Sequence, residues 1–199
     1  MILEGIVTTI SADGAVNIAP MGPRVEPDMR HLLLRPFRTA STYANLKGHP
    51  EGVLHVTDDV LLLARAAVGA LEPLPSLQAA AHVKGWVLAD ACRWYEFRIV
   101  SCDESAERAS FSAEVVHVGQ GRDFFGFNRA KHAVVEAAIL ATRVALLSAA
   151  EIAAEFRRLA VLVDKTGGPR EREAFQCLQA YVDSFGRGSE FRASEAPQP

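Results

Sequence analysis

The chain has 199 residues, 49% hydrophobic and 23% charged, which is apolar material enough for one sizeable domain or a domain with a helical appendage. A net charge of −3 and a pI near 6.1 leave no basic excess for counterion release and argue against a nucleic-acid binder. Three scattered cysteines without a C-x-x-C, and six histidines without a metal-binding pair, predict neither a disulfide framework nor a metal. No apolar run reaches membrane-span length and Met1-Ile2-Leu3 meets Glu4 with no basic leader, so no membrane partner is expected and the expected location is the cytoplasm.

Residues 3–10 (LEGIVTTI) are rich in β-branched side chains and end at the turn sequence Ser11-Ala12-Asp13-Gly14. Residues 15–20 (AVNIAP) supply the return strand, so 3–20 predicts a β-hairpin. Pro20 confines the second strand to an edge or an end, and Asn17 falls on the opposite face from Ile18. A polar connection over 24–29 leads to His31-Leu32-Leu33-Leu34, a strand that stops at Arg35-Pro36.

Thr39, Ser41 and Thr42 then crowd ahead of a short helix predicted over 43–47, before an apolar strand over 53–57. Small hydroxyls in front of a helix cap its free N–H groups; the same N–H groups favour an anion, as do Arg35 and Arg38. The loop reads either as a phosphate cradle or as an N-cap cluster, and on this stretch alone capping is the plainer reading.

The spacing next predicts a helix over 60–71 capped by Asp58 or Asp59, a loop over 72–76, and strands near 85–88, 92–101 and 110–118. Trp94, Glu96 and Arg98 alternate with Tyr95, Phe97 and Ile99, the pattern of a strand buried on one face. Hairpin spacing across roughly six to eight strands predicts an antiparallel barrel over residues 1–125.

From Asn128 the chain reads as helical. Residues 128–147 open on an Asn cap, and Ser148 and Glu151 have capping-box spacing ahead of a helix to about 165. Gly167-Gly168 stop that helix, and Pro169 suits the first turn of another reaching about 185. These helices, over 126–186, are expected to pack on the barrel, and the polar tail 187–199 is expected to be disordered. Arg129, His132, Glu136 and Arg143 share one face of the first helix. That stripe is either a solvated side or the lining of a polar pocket, with His132 as donor or proton carrier.

TYANLKGHPEGVLHVTDD resembles the loop, helix and strand of flavin-reductase-like, FMN-binding split barrels. NIAPMG resembles their strand beside the isoalloxazine ring, and YEFRIV with FSAEVVHV resembles their later strand pair. FNRAKHAVVEAAILATR resembles the helical extension of an uncharacterised family of such barrels, found in methanogens and in bacteria with tetrahydromethanopterin-linked C1 metabolism.

The resemblance spans residues 3–185 and implies an α+β fold: an antiparallel split β-barrel with a C-terminal helical subdomain. It further implies an FMN cofactor, a homodimer, and an oxidoreductase acting on a small molecule. FMN's phosphate falls to Thr39, Ser41 and Thr42 with Arg35 or Arg38, and its ring to Asn17, Ala19, Pro20 and Met21. Asn45 is assigned to the loop or the ribityl chain, and His55 and Thr57 to the adjacent strand. Arg129, His132 and Glu136 become the candidates for substrate contact or proton delivery. The polar insert over 22–29 and the helical extension depart from two-component flavin reductases. The alternatives are a non-catalytic flavin- or pterin-binding module and a barrel holding deazaflavin or haem.

Overall fold

In a computed structural model, which describes residues 1–194 and side chains through residue 185, the expected hairpin forms between β1 (Gly5–Ile10) and β2 (Val16–Met21). Gly14 turns it at φ +87°, a backbone region that L side chains rarely adopt. The remaining strands are β3 (Arg24–Val25), β4 (His31–Leu34), β5 (Glu51–Val56), β6 (Leu77–Ala79), β7 (Trp86–Leu88), β8 (Arg93–Asp103) and β9 (Ser110–Gln120). Seven of them form one antiparallel sheet in the order β2-β1-β5-β8-β9-β4-β3. β2 is an edge strand, the position that tolerates Pro20. The two-residue β3 lies inside what reads in sequence as a polar connection, too short to carry any periodicity.

The sheet curls into a barrel. Past Gly22 and Pro23, β3 continues the register of β2, because Ile2 bridges Arg24 on the side of β1 where Gly5 pairs Met21. The ring therefore closes from β3 back to the start of β1, while β2 keeps a free outer edge. Val7, Leu54, Tyr95, Phe97 and Phe111 fill the interior. Helix α1 (Ser41–Gly48) plugs one end, with Leu46 in this core and the Tyr43 ring 5.9 Å from that of Phe111.

The β6–β7 pair covers the outer wall, where Val83 and Val87 pack with Val53. His55 is fully buried there, and its Nε2 accepts the Leu88 N–H at 3.1 Å. Nδ1 must then carry the proton, which it donates to the Ile6 carbonyl at 3.1 Å. Burial pushes the His55 pKa down to about 4, so the ring is neutral. The alternation expected over 94–99 breaks at Glu96, which is fully buried. Its carboxylate accepts the N–H groups of Ala81, His82 and Val83 at 3.0, 2.6 and 3.1 Å. Burial alone would raise its pKa, but these bonds hold it below the ordinary value.

A second compact unit joins residues 59–72 to the chain from Gly126 onward. Helix α2 (Val60–Ala67) thus belongs with the helices, although it lies within the 1–125 stretch read as barrel. Asp59 caps it through the Leu61 and Leu62 amides and pairs with Arg170 at 2.6 Å. Helix α3 (Arg129–Ala141) buries a stripe of Ala130, Ala133, Ala137 and Ala141, small enough for close helix packing. It stops short of the expected 147: Thr142 turns its hydroxyl back on the Ile139 carbonyl, and tighter turns follow. Helix α4 (Ala149–Thr166) starts at Ser148 with both halves of the capping box in place. Helix α5 starts at Pro169 and runs to Ser194, past the end expected near 185; residues 195–199 of the expected tail lie outside the described residues. None of the described helices is long and apolar enough to cross a membrane.

Candidate functional site

At the α1 end of the barrel the polar residues form two layers. The inner one is a buried shelf. In β1 and β2, Thr9 pairs with Asn17, Val7 with Ala19 and Gly5 with Met21, so these residues share the inward face. Asn17 Nδ2 donates to Thr42 Oγ1 at 3.1 Å and to Thr9 Oγ1 at 3.3 Å. Asn45 Nδ2 donates to the same Thr9 oxygen at 3.0 Å. Thr9, Thr42 and Asn45 are buried, so each bond replaces one that water would otherwise make.

The outer layer is exposed. The N-cap of helix α1 is Ala40, which supplies no side-chain cap, and no acidic residue stands in the first turn. The hydroxyls of Thr39 and Ser41 therefore do not cap it, contrary to the plainer reading of the loop. Free N–H groups, the positive end of the helix and two arginines within the preceding loop make this a place for an anion.

Arg35, Thr39 and Ser41 are exposed, and Arg35 makes no ion pair among the described residues. Arg38 is less available, because its charge bears on Tyr43 and Glu104. Glu104 accepts the Tyr43 hydroxyl and pairs with Lys47 at 2.9 Å, which lowers its pKa and raises those of both partners. The Arg108 guanidinium lies 3.8 Å over the Phe37 ring, clamping the same loop from the other side.

The structure thus brings Asn17, Thr42 and Asn45 into one network and sets Arg35, Arg38, Thr39 and Ser41 around it. Ala19 and Met21 share the face of Asn17, whereas the pleat sends Pro20 to the opposite face. Thr57 stands half-buried just beyond β5. Arg129, His132 and Glu136 are exposed on α3, in the helical unit, and Arg143 lies beyond the end of that helix. Among the described residues no cluster of His, Cys, Asp or Glu is arranged to hold a metal.

Sequence reasoning missed Thr9, the acceptor on which both carboxamides converge. The hairpin register contained the signal, since a turn over Ser11–Gly14 fixes Thr9 opposite Asn17. It also missed Glu104, which reaches α1 from a loop distant in sequence and left no local trace.

Comparison with known proteins places this geometry. Two family models match, that of the N-terminal domain of DUF447, a protein of unknown function, over residues 3–122, and that of the DUF447 C-terminal region over residues 128–180. No curated protein matches the chain. Among solved structures, an FMN-bound DUF447 protein from Methanosarcina mazei is 23% identical, with a TM-score of 0.80 over 90% of this chain and 94% of its own. The 2-nitrobenzoate 2-nitroreductase of Pseudomonas fluorescens is 15% identical, with a TM-score of 0.52 over 59% of this chain and 64% of its own. The NADH:FAD oxidoreductase of Streptomyces globisporus is 14% identical, with a TM-score of 0.50 over 59% of this chain and 74% of its own. The fold is the split barrel of flavin-reductase-like proteins with added helices, and the chain belongs to the DUF447 family.

Proposed function

We propose that this protein binds FMN, with the phosphate at the α1 end of the barrel, and that it works as an oxidoreductase on a small molecule. The observation that carries the reading is the two-layered anion site: an uncapped helix start with Arg35, Thr39 and Ser41 outside, and the Thr9–Asn17–Thr42–Asn45 shelf beneath. The donor set fits a phosphate dianion, which needs several N–H and O–H donors and a guanidinium rather than a metal. The FMN-bound relative from Methanosarcina mazei supports the same choice of ligand.

Bound FMN would supply hydride and single-electron chemistry that no side chain offers. The protein's part is placement. Arg35, Thr39, Ser41 and the first amides of α1 would hold the phosphate, with Arg38 able to join them. Thr42 receives a hydrogen bond from Asn17, so its own O–H is the donor left for a ligand oxygen. The backbone of β2 at Ala19, Pro20 and Met21, along its free edge, would flank the ring together with side-chain groups of Thr57.

Arg129, His132 and Glu136 are the proposed substrate or proton-transfer groups, and a homodimer is the proposed assembly, in which a second copy would cover the exposed β2 edge. The test is the absorption spectrum of the purified protein, followed by anaerobic addition of NADH, NADPH or a reduced pterin. Flavin bands that bleach with one of these donors support an oxidoreductase. Flavin bands that never bleach point to a binding module, and a colourless protein that takes up no FMN overturns the reading.

A further inference from the structure

The opposite mouth of the barrel holds a cavity of about 470 Å³, a size suited to a small ligand, and none of the residues assigned to FMN lines it. Its wall is apolar, from Leu3, Val25 and Val56. Polar side chains line it too, among them Arg93, Tyr95 and Gln120. Arg93 and Tyr95 stand two apart on β8 and so share a face, while Gln120 pairs with Arg93 across from β9.

Tyr95 is only 7% exposed, yet among the described residues its hydroxyl has no hydrogen-bond partner, and neither does the Arg93 guanidinium or the Gln120 carboxamide. A phenol hydroxyl without a protein partner, on a side chain that lines a cavity, is a donor available to a ligand.

The neighbouring Arg122 shows the contrast. Its Nε donates to the Asp90 carbonyl at 3.0 Å, one terminal nitrogen to the Asp123 carbonyl at 3.2 Å, and the other to the buried Asp58 carboxylate. Arg122 is a wall strut with its charge neutralised, whereas Arg93 is uncommitted. The carboxylates facing the cavity, Glu26 and Asp123, lie on exposed residues at its rim. Met29, also in the lining, is the single non-glycine among the described residues with positive φ, at 55°. Backbone held in that sparsely populated region concentrates at ligand sites.

We propose that this mouth is a second binding pocket, for a small organic carboxylate with a flat apolar body. The body would lie against Leu3, Val25 and Val56, and the carboxylate would take the Arg93 fork and the Tyr95 hydroxyl. Titration of the full-length protein with 2-naphthoate, followed by calorimetry, tests it, with neutral 2-naphthol, which keeps the same ring system, as the uncharged control.

Binding of naphthoate at least about ten-fold tighter than naphthol is expected, because one charge-assisted hydrogen bond has that worth. Arg93→Met should abolish the preference and Tyr95→Phe should reduce it, while FMN uptake, measured in parallel, stays unchanged in both variants. Equal affinity for naphthoate and naphthol, or an unchanged preference in Arg93→Met, would overturn the proposal. So would loss of FMN binding in Arg93→Met, which would make the mouth part of the flavin site. Absence of FMN binding in the unaltered protein would instead sink the proposed function and leave this pocket standing.

Discussion

The two ends of the barrel treat polar groups in opposite ways. At the α1 end, buried Thr9, Thr42 and Asn45 and half-buried Asn17 bond to one another and form a shelf under an exposed, cationic loop. At the far mouth, Arg93, Tyr95 and Gln120 line an apolar wall and make no side-chain hydrogen bond among the described residues. A bonded shelf fixes geometry before a ligand arrives, which suits a charged group of constant shape such as a phosphate. Uncommitted donors on an apolar wall suit a ligand that brings its own hydrophobic body.

The contrast can be broken most forcefully at the loop. Replacing Arg35 by Met together with Ser41→Ala should raise the FMN dissociation constant by about a hundred-fold or more, from two lost charge-assisted contacts. The melting temperature should stay where it was, since both side chains are exposed. Fluorescence titration reads the first quantity and calorimetry the second; a large fall in melting temperature with FMN affinity intact would assign the loop a structural role instead.

Acid should act on the outer wall of the barrel. His55 takes a proton near pH 6.5 when unfolded but only at about 4 when folded, because its site is dry and both ring nitrogens are engaged. Between those values the unfolded chain binds more protons, so stability is complete above pH 6.5 and falls as the pH drops toward 4. The loss should be on the order of 3 kcal/mol by denaturant titration at pH 7 and pH 4. A flat profile would show that the ring is already charged or solvated.

A smaller effect sharpens the comparison. Thr9→Val removes the acceptor shared by Asn17 and Asn45, leaving the buried Asn45 carboxamide underbonded, while half-buried Asn17 keeps Thr42, at a cost of about 1–3 kcal/mol. FMN affinity should fall several-fold with it, and Thr9→Ser should restore both. Rescue of stability without rescue of FMN binding would separate the shelf from the cofactor. The smallest effect belongs to the mouth, where Arg93→Met should change stability by no more than about 0.5 kcal/mol, because no partner is orphaned.

Much of the scaffold was legible in the sequence. The Ser11–Gly14 turn, the edge position of Pro20, the Asn128 cap and the Ser148–Glu151 box are local signals, and each appears as read. What escaped depends on contacts far along the chain. Glu96 looks like a solvent-facing residue of a half-buried strand until residues 81–83 fold over it. Helix α2 sits between barrel strands in sequence, and only its partners in α3 and α5 assign it to the helical unit. The site was half legible. Hydroxyls and arginines before a helix suggest an anion, but which hydroxyl is exposed and which is bonded inward depends on the Asn17–Thr42 contact between β2 and α1.

The account rests on the α1 end gripping a phosphate, and the comparison of FMN with riboflavin tests that most directly, since the two differ only in that group. Equilibrium titration of the flavin-free protein should find FMN bound at least about a hundred-fold more tightly than riboflavin, through several charge-assisted hydrogen bonds. Equal affinity for the two would contradict it.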